Sequence, residues 1–185
     1  MMRMLSILAG GAVVVGLGVS WAVTGGVFNK SDDQFASCRT SVIAGGAAAI
    51  GGPFSLQNAK GDTVTDLDVI TEPSLVYFGY TYCPDVCPLD MTRNAEAVDV
   101  LADMGKSVTP VFISIDPARD TPEVVGEFAS LIHPKAIGLT GTKEQVDAAS
   151  KTYRTYYKIH DTGDDMYLVD HSVFTYLFLP EFFFF

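Results

Sequence analysis

The chain has 185 residues, a length that suits one domain with a single hydrophobic core and one additional segment. It carries 12 basic and 22 acidic residues, which gives a formal net charge of −10, and the sequence shows no basic stripe. Because domains that bind nucleic acids usually carry such a stripe, the composition argues against a nucleic-acid partner.

Residues 4–23 form the first distinctive segment, a run of 20 residues without a charged side chain. As a helix, this run would cross about 30 Å of hydrocarbon. Arg3 precedes the run and Trp21 lies near its far end, as expected for residues at the two membrane surfaces. We predict an uncleaved anchor at residues 1–25, with the rest of the chain on the periplasmic side of the inner membrane. The alternative is a cleaved signal peptide, whose apolar region is usually about 7–15 residues long.

Residues 26–52 are rich in glycine, alanine and serine and show no periodic pattern. This composition is typical of a flexible linker, which would hold the following domain away from the membrane surface. Cys38, the first of the chain's three cysteines, lies in this linker. We expect it to be an unpaired thiol.

Residues 53–185 have the pattern of a globular domain. Segments 54–58 and 63–66 flank a glycine-containing turn and predict a β-hairpin. Apolar runs predict strands at residues 74–80, 108–116 and 136–141. Helices are predicted at residues 84–104, 121–133 and 142–158, with Thr121 and Thr142 capping the last two. Residues 166–180 predict two further strands joined by a turn at 170–172.

This alternation predicts an α/β domain whose helices cover the faces of a sheet. Ligand sites in such sheets lie at the carboxyl ends of the strands. The stretch GYTYCPDVCP, residues 79–88, begins where the strand at 74–80 gives way to a helix. We therefore expect the functional site at this junction.

Cys83 and Cys87 are four positions apart in this stretch. If the first helical turn includes both, with Pro84 in that turn, their Cα atoms lie about 6 Å apart on one helix face. That spacing permits a structural disulfide, a redox-active pair or two ligands to one metal ion. The positive end of the helix dipole would favour the thiolate form in the last two cases.

The chain contains no second cysteine pair, which argues against a closed structural zinc site. Thiolates suit Cu(I), and an additional imidazole suits either oxidation state of copper. His133 is predicted at the end of a helix and His160 in a solvated loop. His171 lies between two apolar segments at a predicted tight turn, where it is either a ligand or a turn residue held by local hydrogen bonds.

Three motifs together resemble the Sco/SenC family of copper chaperones for cytochrome c oxidase assembly. They are GYTYCPDVCP at residues 79–88, ISIDPARDTPEVV at residues 113–125 and VDHSVFTYL at residues 169–177. The resemblance implies a thioredoxin-like fold behind a membrane anchor. It also implies that Cys83, Cys87 and His171 bind copper.

The resemblance further implies a partner, which is subunit II of cytochrome c oxidase or another copper or thiol protein. The chain would deliver copper to that protein's site. Alternatively, Cys83 and Cys87 would form the redox-active pair of a thiol–disulfide oxidoreductase that reduces the partner's cysteines. A peroxidase is disfavoured because it needs a single low-pKa cysteine beside an arginine.

Five further residues match family positions. We expect Asp85 to shape the surface electrostatics and Asp170 to orient His171. Asp116, Arg119 and Asp120 predict a structural turn, in which Arg119 pairs with Asp120.

The end of the chain departs from the family pattern. Five residues follow Pro180, and four of them are phenylalanine. Family members normally continue into a C-terminal helix that packs on the sheet. We therefore expect this helix to be missing and one face of the sheet to be partly uncovered.

Overall fold

A computed structural model describes residues 50–160, 163 and 166–180. Within these ranges, no helix is long and apolar enough to cross a membrane. The predicted anchor at residues 1–25, Cys38 and the Phe-rich residues 181–185 lie outside the described residues. The described residues all belong to one compact unit.

The described chain contains eight strands and four helices. The strands are β1 (Ser55–Gln57), β2 (Thr63–Thr65), β3 (Ser74–Gly79), β4 (Thr109–Ser114), β5 (Ile137–Leu139), β6 (Tyr157–His160), β7 (Leu168–His171) and β8 (Thr175–Phe178). The helices are α1 (Asp66–Val69), α2 (Val86–Asp103), α3 (Pro122–Ile132) and α4 (Lys143–Thr152). The order confirms the predicted α/β class.

The central sheet has four strands in the order β5-β4-β3-β8. β3, β4 and β5 are parallel, and β8 pairs antiparallel with β3 at one edge. Every residue of β4 and all but one residue of β3 are buried, as expected for parallel strands covered on both faces. The loops that follow β3 and β4 therefore begin at the carboxyl ends of buried central strands.

The caps of two helices follow the prediction. The side chain of Thr121 accepts a hydrogen bond from the backbone N–H of Val124 at the start of α3. At the start of α4, Thr142 and Gln145 form a reciprocal capping box. Each cap satisfies N–H groups that the first helical turn leaves without a partner inside the helix.

The predicted helix at 142–158 is too long, because α4 ends at Thr152. Arg154 adopts a positive φ of 52°, which stops the helix. In β6, half-buried Tyr157 and Ile159 alternate with exposed neighbours, so this segment follows the period of a strand. The sequence prediction mistook a short strand for the last turns of the helix.

The last two strands do not pair with each other. β7 pairs antiparallel with β6, whereas β8 pairs with β3. His171 is the last residue of β7, so the predicted turn at 170–172 lies too early. We call the two-stranded sheet of β6 and β7 the ribbon. The short helix α1, which directly follows β2, was also missed.

Candidate metal centre

Three side chains from two parts of the fold meet near the carboxyl end of β3. Cys83 lies in the loop after β3, Cys87 is the second residue of α2, and His171 ends β7. The two Sγ atoms and a ring nitrogen of the histidine all lie within 4.8 Å of one another. Both cysteines are buried and the histidine is half-buried. The structure therefore brings together the three side chains that the sequence singled out.

Helix α2 begins at Val86 rather than at the predicted residue 84, so its first turn includes Cys87 but not Cys83. Cys83 and Pro84 precede the helix, and Asp85 occupies the N-cap position without a capping hydrogen bond from its side chain. The backbone N–H of Cys87 instead donates to the Cys83 sulfur at 3.4 Å. This sulfur takes the position of a capping oxygen and receives the partial positive charge of the helix N-terminus.

The loop that carries Cys83 is attached to the neighbouring loop between β4 and α3. Asp120 accepts hydrogen bonds from the Thr81 hydroxyl at 2.6 Å and from the Thr81 backbone N–H at 3.0 Å. The Ser114 hydroxyl donates to the same carboxylate at 2.6 Å. The predicted Arg119–Asp120 pair is therefore wrong, because the hydroxyls of β4 and the cysteine loop occupy that carboxylate.

Gly79, the last residue of β3, leaves the space that the Cys87 side chain needs. A Cβ atom at this position would lie 2.8 Å from Cys87 Sγ and 2.9 Å from Tyr77 Cε1. Real Cβ atoms essentially never come this close to other heavy atoms. Glycine is thus required here for close packing of the sulfur against the strand.

Burial raises the pKa of the Cys87 thiol. The nearby Cys83 also raises this pKa, whereas hydrogen bonds from the Tyr80 backbone and the Tyr77 hydroxyl lower it. Burial dominates, so the predicted thiolate is not favoured at Cys87 in the absence of a cation. A bound metal ion reverses this preference, because a coordinating thiol loses its proton.

Two tyrosines line the site, Tyr77 in β3 and Tyr80 directly after it, and neither was among the predicted site residues. The Tyr77 hydroxyl donates to Asp90 Oδ2 at 3.2 Å and lies 4.0 Å from Cys87 Sγ. The Tyr77 and Tyr80 rings stand almost perpendicular to the His171 ring, with centroids 6.2 Å and 5.8 Å away. The alternation of side chains along a strand, which places Tyr77 on the face of Gly79, was the available signal for Tyr77.

The orientation of His171 follows from its backbone neighbour. Its Nδ1 lies 2.9 Å from the Ser172 carbonyl oxygen, which can only accept, so Nδ1 carries the proton. In the neutral ring, the lone pair of Nε2 then faces Cys87 Sγ at 3.3 Å. The predicted role of Asp170 is wrong, because this carboxylate contacts His160 Nε2 at 2.6 Å instead.

The other two histidines lie outside the cluster of three. His160 ends β6 rather than lying in a loop, and its partner Asp170 is exposed. His133 lies at the C-terminal end of α3, as predicted, where it accepts from the Lys135 N–H and contacts Asp99. Asp85 is exposed beside the cysteine loop, which agrees with the surface position predicted for it.

The donor set fits a copper ion. Two sulfurs and one imidazole nitrogen are soft or borderline ligands, and their spacing allows all three to reach one ion. A closed structural zinc site would need a fourth protein ligand. Among the described residues, the only group of three or more candidate ligands is this one.

The fold and the converging side chains define a thioredoxin-like domain with a thiol-rich candidate metal centre. The sequence matches the family model SCO1/SenC over residues 43–185. The chain belongs to the SCO1/SenC family.

Protein SenC of Rhodobacter capsulatus is 59% identical over 176 residues, which cover 95% of this chain and 78% of that protein. The mitochondrial SCO1 homolog 1 of Arabidopsis thaliana is 46% identical over 137 residues. That match covers 74% of this chain but 41% of the plant protein. The crystal structure of Arabidopsis thaliana ScoI with copper bound is 45% identical, with a TM-score of 0.67, and the match covers 72% of this chain and 83% of that one.

Proposed function

We propose that this protein is a copper-binding chaperone in cytochrome c oxidase assembly, and that Cys83, Cys87 and His171 hold the copper ion. The observation that carries the proposal is the convergence of their three ligand atoms within 4.8 Å. The similar plant ScoI structure contains bound copper, which supports the choice of metal. In this proposal copper is cargo, so the protein must both bind and release it.

The site has a buried side and an accessible side. Cys87 is fully buried against β3, whereas His171 is only partly covered and is followed by exposed Val173 and Phe174. A partner's thiols would therefore displace the imidazole first and the Cys87 sulfur last. Copper supplies the affinity for thiolates that makes this exchange favourable.

The first experiment measures copper binding by the reduced protein without oxygen. We expect one equivalent of Cu(I), lost when the two cysteines are oxidised to a disulfide. The His171→Ala variant is expected to lower Cu(II) affinity by about tenfold or more and Cu(I) affinity much less, because two thiolates suffice for Cu(I). His160→Ala is the matched control, since His160 lies on the adjacent strand and contacts an exposed carboxylate. Equal copper binding by the His171→Ala variant and the wild type would refute the ligand assignment.

A second candidate function is thiol–disulfide exchange with a partner. Cys83 and Cys87 are both free thiols with their sulfurs in reach of each other. The reduced pair would transfer two electrons and two protons to a partner disulfide, which leaves a disulfide here and two thiols on the partner. An oxidised peptide with the copper-site sequence of subunit II tests this function. Failure to reduce it would leave copper binding as the function of the pair.

We also propose that residues 1–25 anchor the protein in the inner membrane, with the domain in the periplasm and subunit II as the recipient of copper. The uncharged run at residues 4–23 supports the anchor. Protease treatment of spheroplasts is expected to digest the domain while a cytoplasmic control protein remains intact. Copper transfer from the loaded protein to purified subunit II would test the recipient.

A further inference from the structure

The candidate ligands come from two separately built parts of the fold. Both cysteines lie on segments that follow β3 of the central sheet. His171 lies on the ribbon, whose two strands form a separate sheet within the described residues. Within the described residues, neither strand of the ribbon pairs with a strand of the central sheet; His171 is joined to that sheet through residues 172–174 and Thr175 of β8, which pairs with Tyr77 of β3. Side-chain contacts between the ribbon and the rest of the domain therefore add to this short connection in holding the imidazole against the sulfurs.

Three of these contacts converge on Tyr167, the residue before β7. Its hydroxyl donates to Asp116 Oδ1 at 2.6 Å, and its carbonyl accepts from Arg119 Nη1 at 3.0 Å. The centre of the guanidinium lies 3.5 Å from the centroid of the Tyr167 ring. Tyr167 is thus held at its hydroxyl, its ring and its backbone, four positions before His171.

Arg119 and Asp116 form a buried ion pair in the loop between β4 and α3. Arg119 Nε donates to Asp116 Oδ2 at 2.6 Å, and the two side chains are 11% and 0% exposed. The Asp116 backbone N–H also donates to the Ser114 hydroxyl. A buried, hydrogen-bonded ion pair of this kind has one favoured geometry, since breaking it leaves an uncompensated charge in the interior.

Arg119 also contacts the loop that carries Cys83. Its guanidinium lies 4.8 Å from the centroid of the Tyr82 ring, one residue before that cysteine. The hydroxyl of Tyr80, on the same side, accepts a hydrogen bond from the Val169 N–H in β7 at 3.4 Å. The arginine therefore lies between the cysteine loop and the ribbon and contacts both.

We propose that Asp116, Arg119 and Tyr167 form a ribbon clamp, a set of positioning residues that holds His171 against the two cysteines. The inference rests on the proposed copper function, since it assigns the clamp to the third ligand of that site. None of the three clamp residues belongs to the group of candidate ligands. The clamp therefore acts on copper through His171. Its loss is expected to lower the affinity for Cu(II), the oxidation state that needs the imidazole.

The test is the Tyr167→Phe variant, which removes one hydroxyl and keeps the ring. We expect Cu(II) affinity to fall about tenfold, as is typical when a residue that orients a ligand is changed. We also expect a shifted thiolate-to-Cu(II) absorption band and an unchanged Cu(I) affinity. Arg119→Lys is expected to act in the same direction, because lysine keeps the charge but loses the planar stacking and the paired hydrogen bonds.

A double-mutant cycle separates positioning from a general structural effect. In the His171→Ala background, Tyr167→Phe is expected to cause no further loss of Cu(II) affinity. Tyr153→Phe is the matched control, since Tyr153 is a buried tyrosine whose ring contacts lie with Phe54, Phe78, Tyr176 and Phe178. The proposal is overturned if Tyr167→Phe lowers Cu(I) and Cu(II) affinity equally, or if its effect persists without His171.

A measurement on the metal-free protein keeps the test independent of the copper function. The nitrogen resonances of the His171 ring report its contacts with Ser172 and Cys87. Tyr167→Phe is expected to move them toward the values of an exposed histidine and to leave those of His133 unchanged. Unchanged His171 resonances would overturn the clamp even if the protein proved to bind no copper. A failure of the proposed copper function is recognised separately, because the wild-type protein would then bind no copper.

Discussion

The backbone N–H of Cys87 donates a hydrogen bond to the sulfur of Cys83 at 3.4 Å. This contact replaces the side-chain cap that Asp85 does not provide at the start of α2. It fixes the first sulfur relative to the helix that carries the second one. The two sulfurs are therefore held near each other without a bound metal ion or a disulfide bond.

Gly79→Ala is expected to displace the Cys87 sulfur, because the new Cβ would lie 2.8 Å from it. Overpacking of this kind costs about 1–3 kcal/mol of stability. Copper affinity is expected to fall as well, and titration of the reduced protein would measure it. In the control Gly141→Ala, the new Cβ would lie 2.7 Å from Gln145 Oε1, so this variant disturbs the capping box of α4 and meets neither cysteine. Normal copper binding by the Gly79→Ala variant would show that the close packing is not needed.

Tyr77→Phe is expected to make the Cys83–Cys87 pair easier to oxidise. Burial raises the pKa of Tyr77, so its hydroxyl stays protonated and remains a donor near Cys87 Sγ. Without this donor the reduced sulfur loses stabilisation, and the midpoint potential of the pair moves to a more negative value. Redox titration against glutathione measures the shift.

Tyr82→Phe serves as the control for that potential, because Tyr82 is exposed and its ring contact with Arg119 is retained in phenylalanine. If the midpoint potential of the Tyr77→Phe variant equals that of the wild type, the Tyr77 hydroxyl donates only to Asp90 and does not stabilise the reduced sulfur.

Tyr153→Phe is expected to leave the protein as stable as the wild type or more stable, by up to about 1 kcal/mol. The Tyr153 side chain is fully buried, and its hydroxyl has no hydrogen-bond partner among the described residues. Removing an unsatisfied buried hydroxyl removes its desolvation cost. Urea unfolding measures the difference. Tyr167→Phe, which breaks a bond to the buried Asp116 carboxylate, is expected to cost about 1.5–3 kcal/mol in the same assay.

Asp120 is expected to make the stability depend on pH. Burial raises the pKa of this carboxyl, although Ser114 and Thr81 donate hydrogen bonds to it. A carboxyl with a raised pKa in the folded state binds protons more readily there than in the unfolded chain. Its contribution to stability is therefore greatest near pH 4 and decreases as the pH rises through the folded-state pKa.

The comparison with Asp120→Asn isolates this effect, because asparagine does not titrate. The difference in unfolding free energy, wild type minus variant, is expected to increase as the pH is lowered from 7 to about 4. A difference that is constant over this range, or that decreases toward low pH, would contradict the raised pKa.

Local signals made much of the fold and site predictable. Thr121 and Thr142 indicate the start of their helices, because a capping hydroxyl accepts a hydrogen bond from an N–H group only three residues further along the chain. The buried strands at the centre of the sheet are recognisable as apolar runs of strand length. The prediction failed where a segment pairs with a part of the chain that is distant in sequence. Residues 157–160 continue the helical pattern of the preceding residues, but they form β6 because they pair with β7.

By itself, the sequence determined the α/β class and the cysteine pair at a strand-to-helix junction. These properties follow from periodicity, spacing and residue chemistry, which act over a few neighbouring positions. Spacing left His171 as either a ligand or a turn residue, and only the resemblance of its motif to the Sco/SenC family favoured the ligand. Only the tertiary structure decided which groups contact one another across the chain. Arg119 pairs with Asp116 rather than Asp120, and Ser172 rather than Asp170 orients His171. Such choices depend on which buried polar groups meet when separate elements pack, because each must find a partner there.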